Sequence, residues 1–373
     1  MIYLDNNATT AIDPAVVEAM LPFLTEHYGN PSSSYSFGRR AGAAIEHARE
    51  QVAALLGADP KEIVFTSCGT ESDNAAIASA LATTGRRHIV TSSVEHSAIK
   101  NQAEHLERMG YGVTWLPVHA NGSLDPDSVA SALRDDTAIV SLMWANNETG
   151  VLFPIREIAG MCAERGVLFH TDAVQAVGKI PIHFSQTPIH FLSLSGHKLH
   201  APKGVGALAI RRRTKFSPFL LGGAQEKGKR PGTENVASIV GLGRACQLAA
   251  ERIEDENTRV RALRDQLEAG ILARVPGAKV NGSGADRLPN TTNITFPGAD
   301  AATLLTRLDQ AGVCASAGSA CTSGALSPSH VLKAMGLRDT DALASIRFSL
   351  ASSNTAAEIE AVLQLFPKIL EAT

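Results

Sequence analysis

The sequence predicts an α/β fold, with a mainly parallel seven-stranded sheet in a large domain and a smaller α+β domain beside it. Two observations lead to this prediction. Between about residues 60 and 215, seven short apolar runs alternate with segments of helical pattern, as in parallel sheets that helices cover on both faces. Near residue 251 the pattern changes to a long charged helix followed by mixed helices and strands.

The first part of the chain supplies two helices before the predicted sheet begins. Asp13 and Pro14 are typical of a helix N-cap and first helical position. The helix that follows carries its apolar side chains at Val17, Met20, Leu21 and Leu24. A second apolar stripe covers residues 44–56 and ends at Gly57, a residue typical of helix C-termini.

The seven strands are predicted at residues 63–67, 88–92, 113–118, 138–144, 167–171, 190–194 and 206–210. Helices are predicted at residues 73–82 and between the second strand and Gly110. Functional groups in such sheets gather at the carboxyl ends of the strands. Asn147, Asp172 and Ser195 all follow or end a predicted strand, so we expect them at this edge.

The second half of the chain predicts the smaller domain. A charged helix is expected at about residues 254–274, a strand at 293–296 and a helix near 300–311. A Gly/Ser-rich loop, a strand at 345–351 and a last helix from about residue 355 follow. We therefore divide the chain into a large domain of residues 13–252 and a small domain of residues 1–12 and 253–373.

Composition narrows the functional classes. A net charge of −3 and a pI of about 6.5 give no electrostatic reason to expect nucleic acid or an anionic membrane as partner. The sequence has no apolar run long enough for a membrane span and no recognisable secretory signal, so a cytoplasmic location is expected. The five cysteines are widely spaced without a CxxC motif, which argues against a disulfide framework and a zinc site.

A lysine and a carboxylate at neighbouring strand ends suggest cofactor chemistry. Lys198 closes the segment Ser195-Gly196-His197-Lys198, which follows an apolar strand. Asp172 ends another strand, where it could hold a pyridinium proton through a charge-assisted hydrogen bond. Gln175, three residues on, is expected on the same helical face. The alternatives are an exposed loop lysine and an aspartate that caps the next helix.

The segment from Gly69 to Asp73 follows a strand and opens a helix, which makes it a candidate phosphate site. Gly69 allows close approach of the backbone, and Thr70 with Asp73 fits a capping box. The alternative is an ordinary helix cap without a ligand.

His96 and Arg347 are the other candidates for chemistry. His96 lies between a strand and a helix, where it could stack on an aromatic cofactor and act as an acid or base. The alternative is a polar residue with no role in the reaction. Arg347 could bind a substrate carboxylate with its planar fork or form a buried ion pair, and the sequence favours neither.

Cys321 differs from the other thiols because it lies in a run of small residues, SAGSACTSG. Such a loop buries little apolar area, so we expect an exposed and mobile thiol. Cys162 and Cys246 are spaced as core residues, Cys314 follows Val313 in a short strand, and Cys68 is ambiguous, with packing favoured. Together, Lys198, Asp172 and Cys321 suggest pyridoxal-phosphate chemistry on a sulfur substrate.

With these residues assembled, the chain resembles the cysteine desulfurases of the NifS/IscS type, in the class V aminotransferase family. It is closer to the nitrogen-fixation NifS proteins than to the housekeeping IscS proteins. The resemblance extends over essentially the whole chain. Its segments, in order, are YLDNNATT (3–10), GNPSS (29–33), FTSCGTESD (65–73), MWANNETG (143–150), FHTDAVQAVGK (169–179), SGHKLHAPKGVGAL (195–208), GTENVASI (232–239), GSACTSG (318–324) and IRFSL (346–350).

The resemblance implies a fold type I pyridoxal 5'-phosphate enzyme that acts as a homodimer. It assigns Lys198 to covalent attachment of the cofactor and Asp172 to the pyridine nitrogen. Gln175 and Asn147 are assigned to the side of the phenolic oxygen. The phosphate-binding residues implied are Gly69, Thr70, Ser195 and His197, with Thr233 contributed by the partner subunit.

The resemblance also implies the substrate and the reaction. L-Cysteine is converted to L-alanine, and Cys321 takes the sulfur as a persulfide that serves iron–sulfur cluster assembly, in nitrogen fixation above all. His96 stacks on the ring and takes part in catalysis, and Arg347 holds the substrate carboxylate together with Asn147. An iron–sulfur scaffold protein or another sulfur acceptor is the expected partner. No intrinsic metal is expected, apart from transient ligation of a cluster by Cys321.

Two alternatives remain open at this point. A selenocysteine lyase or a cysteine-sulfinate desulfinase would use the same fold and depend less on a loop thiol. A sulfur-carrier or scaffold-binding protein with a vestigial cofactor site would be no enzyme at all. The destination of the sulfur, including tRNA thiolation, is not encoded in these motifs.

Overall fold

The central sheet has seven strands in the order β2-β8-β7-β6-β5-β3-β4. This computed structural model describes residues 1–317 and 327–371. The strands are β2 (Ile63–Thr66), β3 (His88–Ser92), β4 (Gly112–Leu116), β5 (Thr137–Met143), β6 (Leu168–Asp172), β7 (Phe191–Ser195) and β8 (Gly206–Ile210). In this sheet β8 runs opposite to the other six strands, which all point the same way, so the predicted mainly parallel sheet is confirmed.

Helices of the first two thirds of the chain cover this sheet. They are α1 (Pro14–Thr25), α2 (Ser36–Leu56), α3 (Gly69–Thr84), α4 (Ser97–Arg108), α5 (Pro126–Ala132), α6 (Ile155–Glu164) and α7 (Val236–Asp255). Every residue of β5 is buried, as expected for a central strand with helices on both faces. The predicted helix signals are confirmed, since Asp13 caps α1 and Gly57 ends α2 in the left-handed conformation.

A second group of elements surrounds a three-stranded antiparallel sheet of order β12-β10-β9. Its strands are β9 (Lys279–Asn281), β10 (Thr291–Thr295) and β12 (Ser345–Ser349), while β1 (Ile2–Tyr3) pairs in parallel with β11 (Val313–Cys314). Its helices are α8 (Arg261–Arg274), α9 (Ala301–Gln310), α10 (His330–Ala334), α11 (Asp339–Leu343) and α12 (Ala356–Glu371). Leu4, α8, α9 and α12 contribute to a separate apolar cluster here.

The helix expected at residues 254–274 is part of a longer one. Helix α7 continues through a π-helical turn, Glu256–Val260, directly into α8. The predicted boundary at residue 252 therefore lies within a continuous helical run. The reason is that its apolar face changes partner, from Leu242 and Cys246 in the core of the large sheet to Val260 and Leu267 in the second cluster. The division into two domains stays a prediction.

None of the helices in the described ranges combines the length and apolar character that a bilayer span requires.

Close packing of α2 against α7 predicts a clear difference between two glycine substitutions. A Cβ atom on Gly243 of α7 would lie 2.6 Å from the Cα of Ala48 in α2, whereas one on Gly160 of α6 would meet nothing within 4 Å. We expect Gly243→Ala to lower the free energy of unfolding by about 1–3 kcal/mol through overpacking. Gly160→Ala should raise it by about 0.5–1 kcal/mol through helix propensity. Urea unfolding of the two variants measures this, and equal effects would contradict the packing argument.

Candidate active site

A cavity of about 580 Å³ lies at the carboxyl ends of β6 and β7. Ten residues that the sequence proposed for the site line it: Gly69, Thr70, His96, Asn147, Asp172, Gln175, Ser195, His197, Lys198 and Arg347. Thr233 is exposed and does not line this cavity. Cys321 lies outside the described residues.

Lys198 enters the cavity from a short 3₁₀ turn, Gly196–Lys198, that follows β7. Its ammonium donates hydrogen bonds to the carbonyl oxygens of Asn7 and Ala8, the latter at 2.7 Å. Burial, reinforced by the nearby Arg347 charge, lowers the pKa of Lys198 to about 8. The exposed loop lysine considered from sequence is therefore not what the structure shows, and the amine is unusually nucleophilic for a lysine.

The lowered pKa of Lys198 predicts the pH dependence of its reactivity. With a pKa of about 8, roughly a tenth of the side chain is a neutral amine at pH 7, against about one in a few thousand for ordinary lysine. We expect the rate of imine formation with an aromatic aldehyde, measured on cofactor-free protein, to rise with pH and level off above about pH 8. A rate that continues to rise to about pH 10, as for free lysine, would contradict this.

Asp172 ends β6 and is only 7% exposed. Its Oδ1 atom accepts a hydrogen bond of 2.9 Å from the backbone N–H of Val174. Burial raises the pKa of Asp172, while His96, Val174 and Lys198 favour its charged form. A buried carboxylate at a strand end needs a cationic or N–H partner, and a protonated pyridine nitrogen is such a partner.

The helix expected after Asp172 does not form, because residues 174–179 follow a series of turns. The prediction that Gln175 shares a helical face with Asp172 is therefore wrong, although both side chains line the cavity. The Nε2 atom of Gln175 donates to the carbonyl of Asn7 at 3.1 Å. Its Oε1 atom is buried and has no hydrogen-bond partner in the described part of the chain, so it can accept from a donor on a ligand.

The N-terminus of α3 supports a phosphate site, but not through the predicted capping box. The N-cap residue is Cys68, without a side-chain hydrogen bond, while Glu71 accepts from the N–H of Ser67 at 2.8 Å. Asp73 points instead into the protein, where it is 1% exposed. A Cβ on Gly69 would come within 2.8 Å of Val174, so glycine is required for the helix to approach the β6 edge.

Several hydrogen-bond donors near the N-terminus of α3 could bind an anion. The first N–H groups of α3 have no partner within the helix, as at every helix start. The Oγ atom of Ser195 is buried without a hydrogen-bond partner in the described structure. His197 contacts Thr9 Oγ1 at 3.2 Å, and burial together with Lys198 lowers its pKa to about 4, so it is neutral at pH 7. These donors fit a phosphate group.

His96 is the N-cap residue of α4, and its Nδ1 atom accepts the N–H of Ala98 at 3.2 Å. A backbone N–H can only donate, so the neutral ring carries its proton on Nε2. Burial by the surrounding protein lowers the pKa of His96. The ring therefore offers the cavity an N–H donor.

Arg347 combines both roles considered from sequence. It is 4% exposed and forms an ion pair with Asp5, Nη2 to Oδ1, at 2.7 Å. Its Nη1 donates to the carbonyl of Asn147, and its buried Nε has no partner within residues 1–317 and 327–371. Because the side chain also lines the cavity, the free N–H can take a substrate carboxylate while Asp5 holds the guanidinium in place.

The sequence assigned no individual role to Asn7, Glu95 or His330, and it assigned Asp73 only to a helix cap. The carbonyl oxygen of Asn7 accepts hydrogen bonds from Lys198 Nζ and Gln175 Nε2. Asp73 lies in the cavity wall. Glu95 is buried, which raises its pKa to about 8, and His330 donates from Nε2 to the Glu95 carbonyl at 2.9 Å. In the sequence these residues are visible only as polar residues beside an apolar strand or within the segment YLDNNATT. Such a pattern does not show which distant group each of them contacts.

The residues present fit pyridoxal phosphate. Asp172 faces the cavity as a buried acid, Lys198 supplies an amine of lowered pKa, and Ser195 and the α3 N-terminus supply unpaired donors. The unpaired Oε1 of Gln175 adds an acceptor.

Comparison with known proteins agrees with this geometry. The sequence profile described as "Aminotransferase class-V" matches residues 2–362. The "Cysteine desulfurase NifS" of Azotobacter vinelandii is 55% identical over 371 residues, which cover 99% of this chain and 92% of that protein. A "Cysteine desulfurase" of Trichormus azollae is also 55% identical, covering 100% and 93%.

Solved structures similar to this chain are also NifS-like proteins. A structure described as "NIFS-LIKE PROTEIN" superimposes with a TM-score of 0.93 at 36% identity, covering all of both chains. A NifS-like protein from Rickettsia africae gives 0.90 at 36% identity, covering 100% of this chain and 99% of that one. On this evidence, the chain belongs to the class-V aminotransferase family of pyridoxal-phosphate enzymes.

Proposed function

We propose that the protein is a cysteine desulfurase, which removes sulfur from L-cysteine, releases L-alanine and keeps the sulfur as a persulfide on Cys321. The observation that carries the proposal is the position of Lys198, with its lowered pKa, in one cavity with Asp172 and Arg347. The 55% identity to a NifS cysteine desulfurase over 99% of the chain supports it.

When bound, pyridoxal phosphate supplies an electron-accepting ring that stabilises negative charge on the substrate's α-carbon. The Asp172 carboxylate would favour a protonated ring nitrogen, because a buried anion stabilises the charged form of a basic group beside it. Lys198 Nζ would hold the cofactor, and as a free amine it would serve as the base that moves the α-proton. His96 Nε2–H lies in the same cavity as a neutral donor and acid.

Substrate orientation falls to Arg347. Among the described residues, the Nε–H of its buried guanidinium donates to no protein group, so it is free to donate to a carboxylate. The ion pair with Asp5 fixes the planar fork, so little side-chain entropy is lost on binding.

Sulfur transfer requires a thiolate, and we assign it to Cys321. Its sulfur attacks the substrate sulfur, so an S–S bond forms while the substrate C–S bond breaks and its electron pair stays on carbon. That carbon then takes a proton, which completes alanine. The sum is L-cysteine plus enzyme thiol giving L-alanine plus enzyme persulfide, without an external oxidant or reductant.

We further propose a homodimer in which each subunit contributes Thr233 to the other's phosphate site. Thr233 is exposed and lies outside the cavity of its own chain, so it requires a second chain to reach one. A row of exposed apolar side chains along and after α1, Val17, Leu21, Leu24 and Tyr28, supplies a surface for a second copy. Sedimentation should give twice the chain mass, and a fully active monomer would exclude this role.

We propose an iron–sulfur scaffold protein as the acceptor of the persulfide sulfur. The support is the similarity to proteins named NifS, together with the Gly/Ser-rich sequence around Cys321. No resident metal is part of this proposal.

The reaction itself tests the function. A single turnover of the purified enzyme with L-cysteine, without a reductant, should yield alanine and persulfide in equal amounts, with the added sulfur on the Cys321 peptide by mass spectrometry. Selenocysteine and cysteine sulfinate measured in parallel separate the two related activities. Alanine without any persulfide, or a higher kcat/KM for either alternative substrate, would contradict a desulfurase.

A further inference from the structure

The cavity that Asp172 lines contains a second carboxyl group in its wall, Asp73 of α3. Asp73 is 1% exposed, and its Oδ1 atom has no hydrogen-bond partner in the described residues. The Ser193 hydroxyl contacts the same carboxyl group. Asp73 and Asp172 are both buried and line the same cavity.

The nearest basic group does not neutralise Asp73. His170 Nε2 lies 3.5 Å from Asp73 Oδ1, but this imidazole is bonded on both nitrogens, to Ser141 at 2.8 Å and to Ser193 at 2.9 Å. Burial lowers the pKa of His170 to about 3, so the ring is neutral at physiological pH. The pair is therefore a contact between a neutral ring and an acid, and not a salt bridge.

Strand β6 places Asp172 on the face of the sheet where His170 meets Asp73. His170 contacts Asp73 of α3, and Asp172 lies two residues after His170 on β6, so both β6 side chains leave the same face. Burial and the Asp172 charge raise the pKa of Asp73 well above its ordinary value. Five titratable groups on four elements surround the two acids. They are His170 on β6, Cys68 at the α3 N-cap, Glu95 and His96 in the turn between β3 and α4, and Lys198 in the turn after β7.

The surroundings of the two acids differ. Asp172 accepts the Val174 N–H and has His96 and Lys198 as neighbours that favour its charge. Asp73 has Asp172, Glu95 and Cys68 as neighbours, which all disfavour a second charge. Two buried carboxylates that line one cavity and interact electrostatically cannot both ionise without a large free-energy cost. The proton therefore belongs to Asp73, the acid whose neighbours disfavour its charge.

We propose that Asp73 and Asp172 carry a single negative charge between them at neutral pH, with Asp73 as the protonated partner that confines the charge to Asp172. Asp73 is thus a positioning residue, which touches no reacting atom. The inference rests on the proposed function only for its consequence, that the confined charge faces the ring nitrogen of the cofactor.

The charge state of Asp73 has a consequence for the stability of cofactor-free protein. A carboxyl whose pKa is raised by folding stabilises the fold while protonated, and this contribution is lost as pH rises through its folded pKa. We therefore expect Tm of the unaltered full-length chain to fall as pH rises above about 4, the ordinary pKa of an aspartate in an unfolded chain, and to fall by about 2–4 °C less in Asp73→Asn. Asp172→Asn should reduce the fall in Tm by a similar amount, and the double variant should reduce it by little more than either single substitution.

Glu71→Gln is the matched control, since Glu71 lies on the same turn of α3. Although burial opposes it, bonds from Arg230 and Ser67 lower the pKa of Glu71, so its contribution is lost as pH falls and not as pH rises. This variant should leave the fall of Tm with rising pH unchanged. An Asp73→Asn variant with the unaltered slope, or strictly additive effects of the two substitutions, would overturn the shared charge.

Cofactor affinity gives a second, independent measurement. Asn imitates a neutral acid, so Asp73→Asn should weaken binding of pyridoxal phosphate less than about threefold, whereas Asp172→Asn removes the charge and should weaken it more than about tenfold. Equal losses would show that Asp73 itself carries the charge. Infrared spectra of the unaltered protein should show a protonated carboxyl at neutral pH that Asp73→Asn lacks. Each readout is separate from desulfurase activity, so failure of the proposed function leaves the test intact.

Discussion

Lys198→Ala is expected to abolish both covalent cofactor attachment and alanine formation, with a loss in rate on the order of 10³-fold or more. Lys198 is the amine in the cavity with a lowered pKa, about 8, and it is also the base that we propose for the α-proton. Removing it eliminates two steps at once. The measurements are the visible absorption of the bound cofactor after gel filtration and the rate of alanine release.

Lys203→Ala is the control for this experiment. Lys203 lies five residues further along the same segment and is exposed to solvent. It should retain alanine formation within about twofold, as is usual for surface substitutions. A Lys198→Ala protein that kept the cofactor absorption through gel filtration would remove the central assignment of the site.

Cys321→Ser is expected to stop persulfide formation and reduce alanine release on the order of 10³-fold. A serine hydroxyl is ionised far less readily than a thiol, so it provides no nucleophile for the substrate sulfur. Cofactor binding should be unchanged, because the groups assigned to it lie in the described cavity. The variant would then bind L-cysteine without turning it over, which absorption spectra and alanine assays distinguish.

Cys314→Ser provides a matched thiol in β11, outside the cavity lining. It should keep the rate of alanine release within about threefold. Near-normal alanine release by Cys321→Ser would instead point to another thiol, and Cys68 in the cavity wall would be tested next.

Local sequence signals determined the elements of the large sheet. Strand runs such as residues 206–210 match β8 because a short buried strand leaves a continuous apolar stretch. The N-cap at Asp13 and the C-terminal Gly57 follow from hydrogen bonding and backbone freedom within a few residues. The turns after Asp172 were missed because their apolar spacing resembles that of a helix.

Residue types at the strand ends also determined the candidate site, since Lys198, Asp172, His96 and Ser195 all follow strands whose carboxyl ends meet at one edge. Here the sequence was sufficient, because topology brings these positions together whatever the details of packing.

The tertiary structure alone decided which partner each polar group has. Arg347 pairs with Asp5, which lies 342 positions away in the chain, and Lys198 donates to the carbonyl of Asn7. Asp73 turned out to be a buried acid beside a neutral histidine and not a helix cap. Propensity and periodicity act over a few residues, whereas burial, ionisation and hydrogen-bond partners depend on segments that only the folded chain brings together.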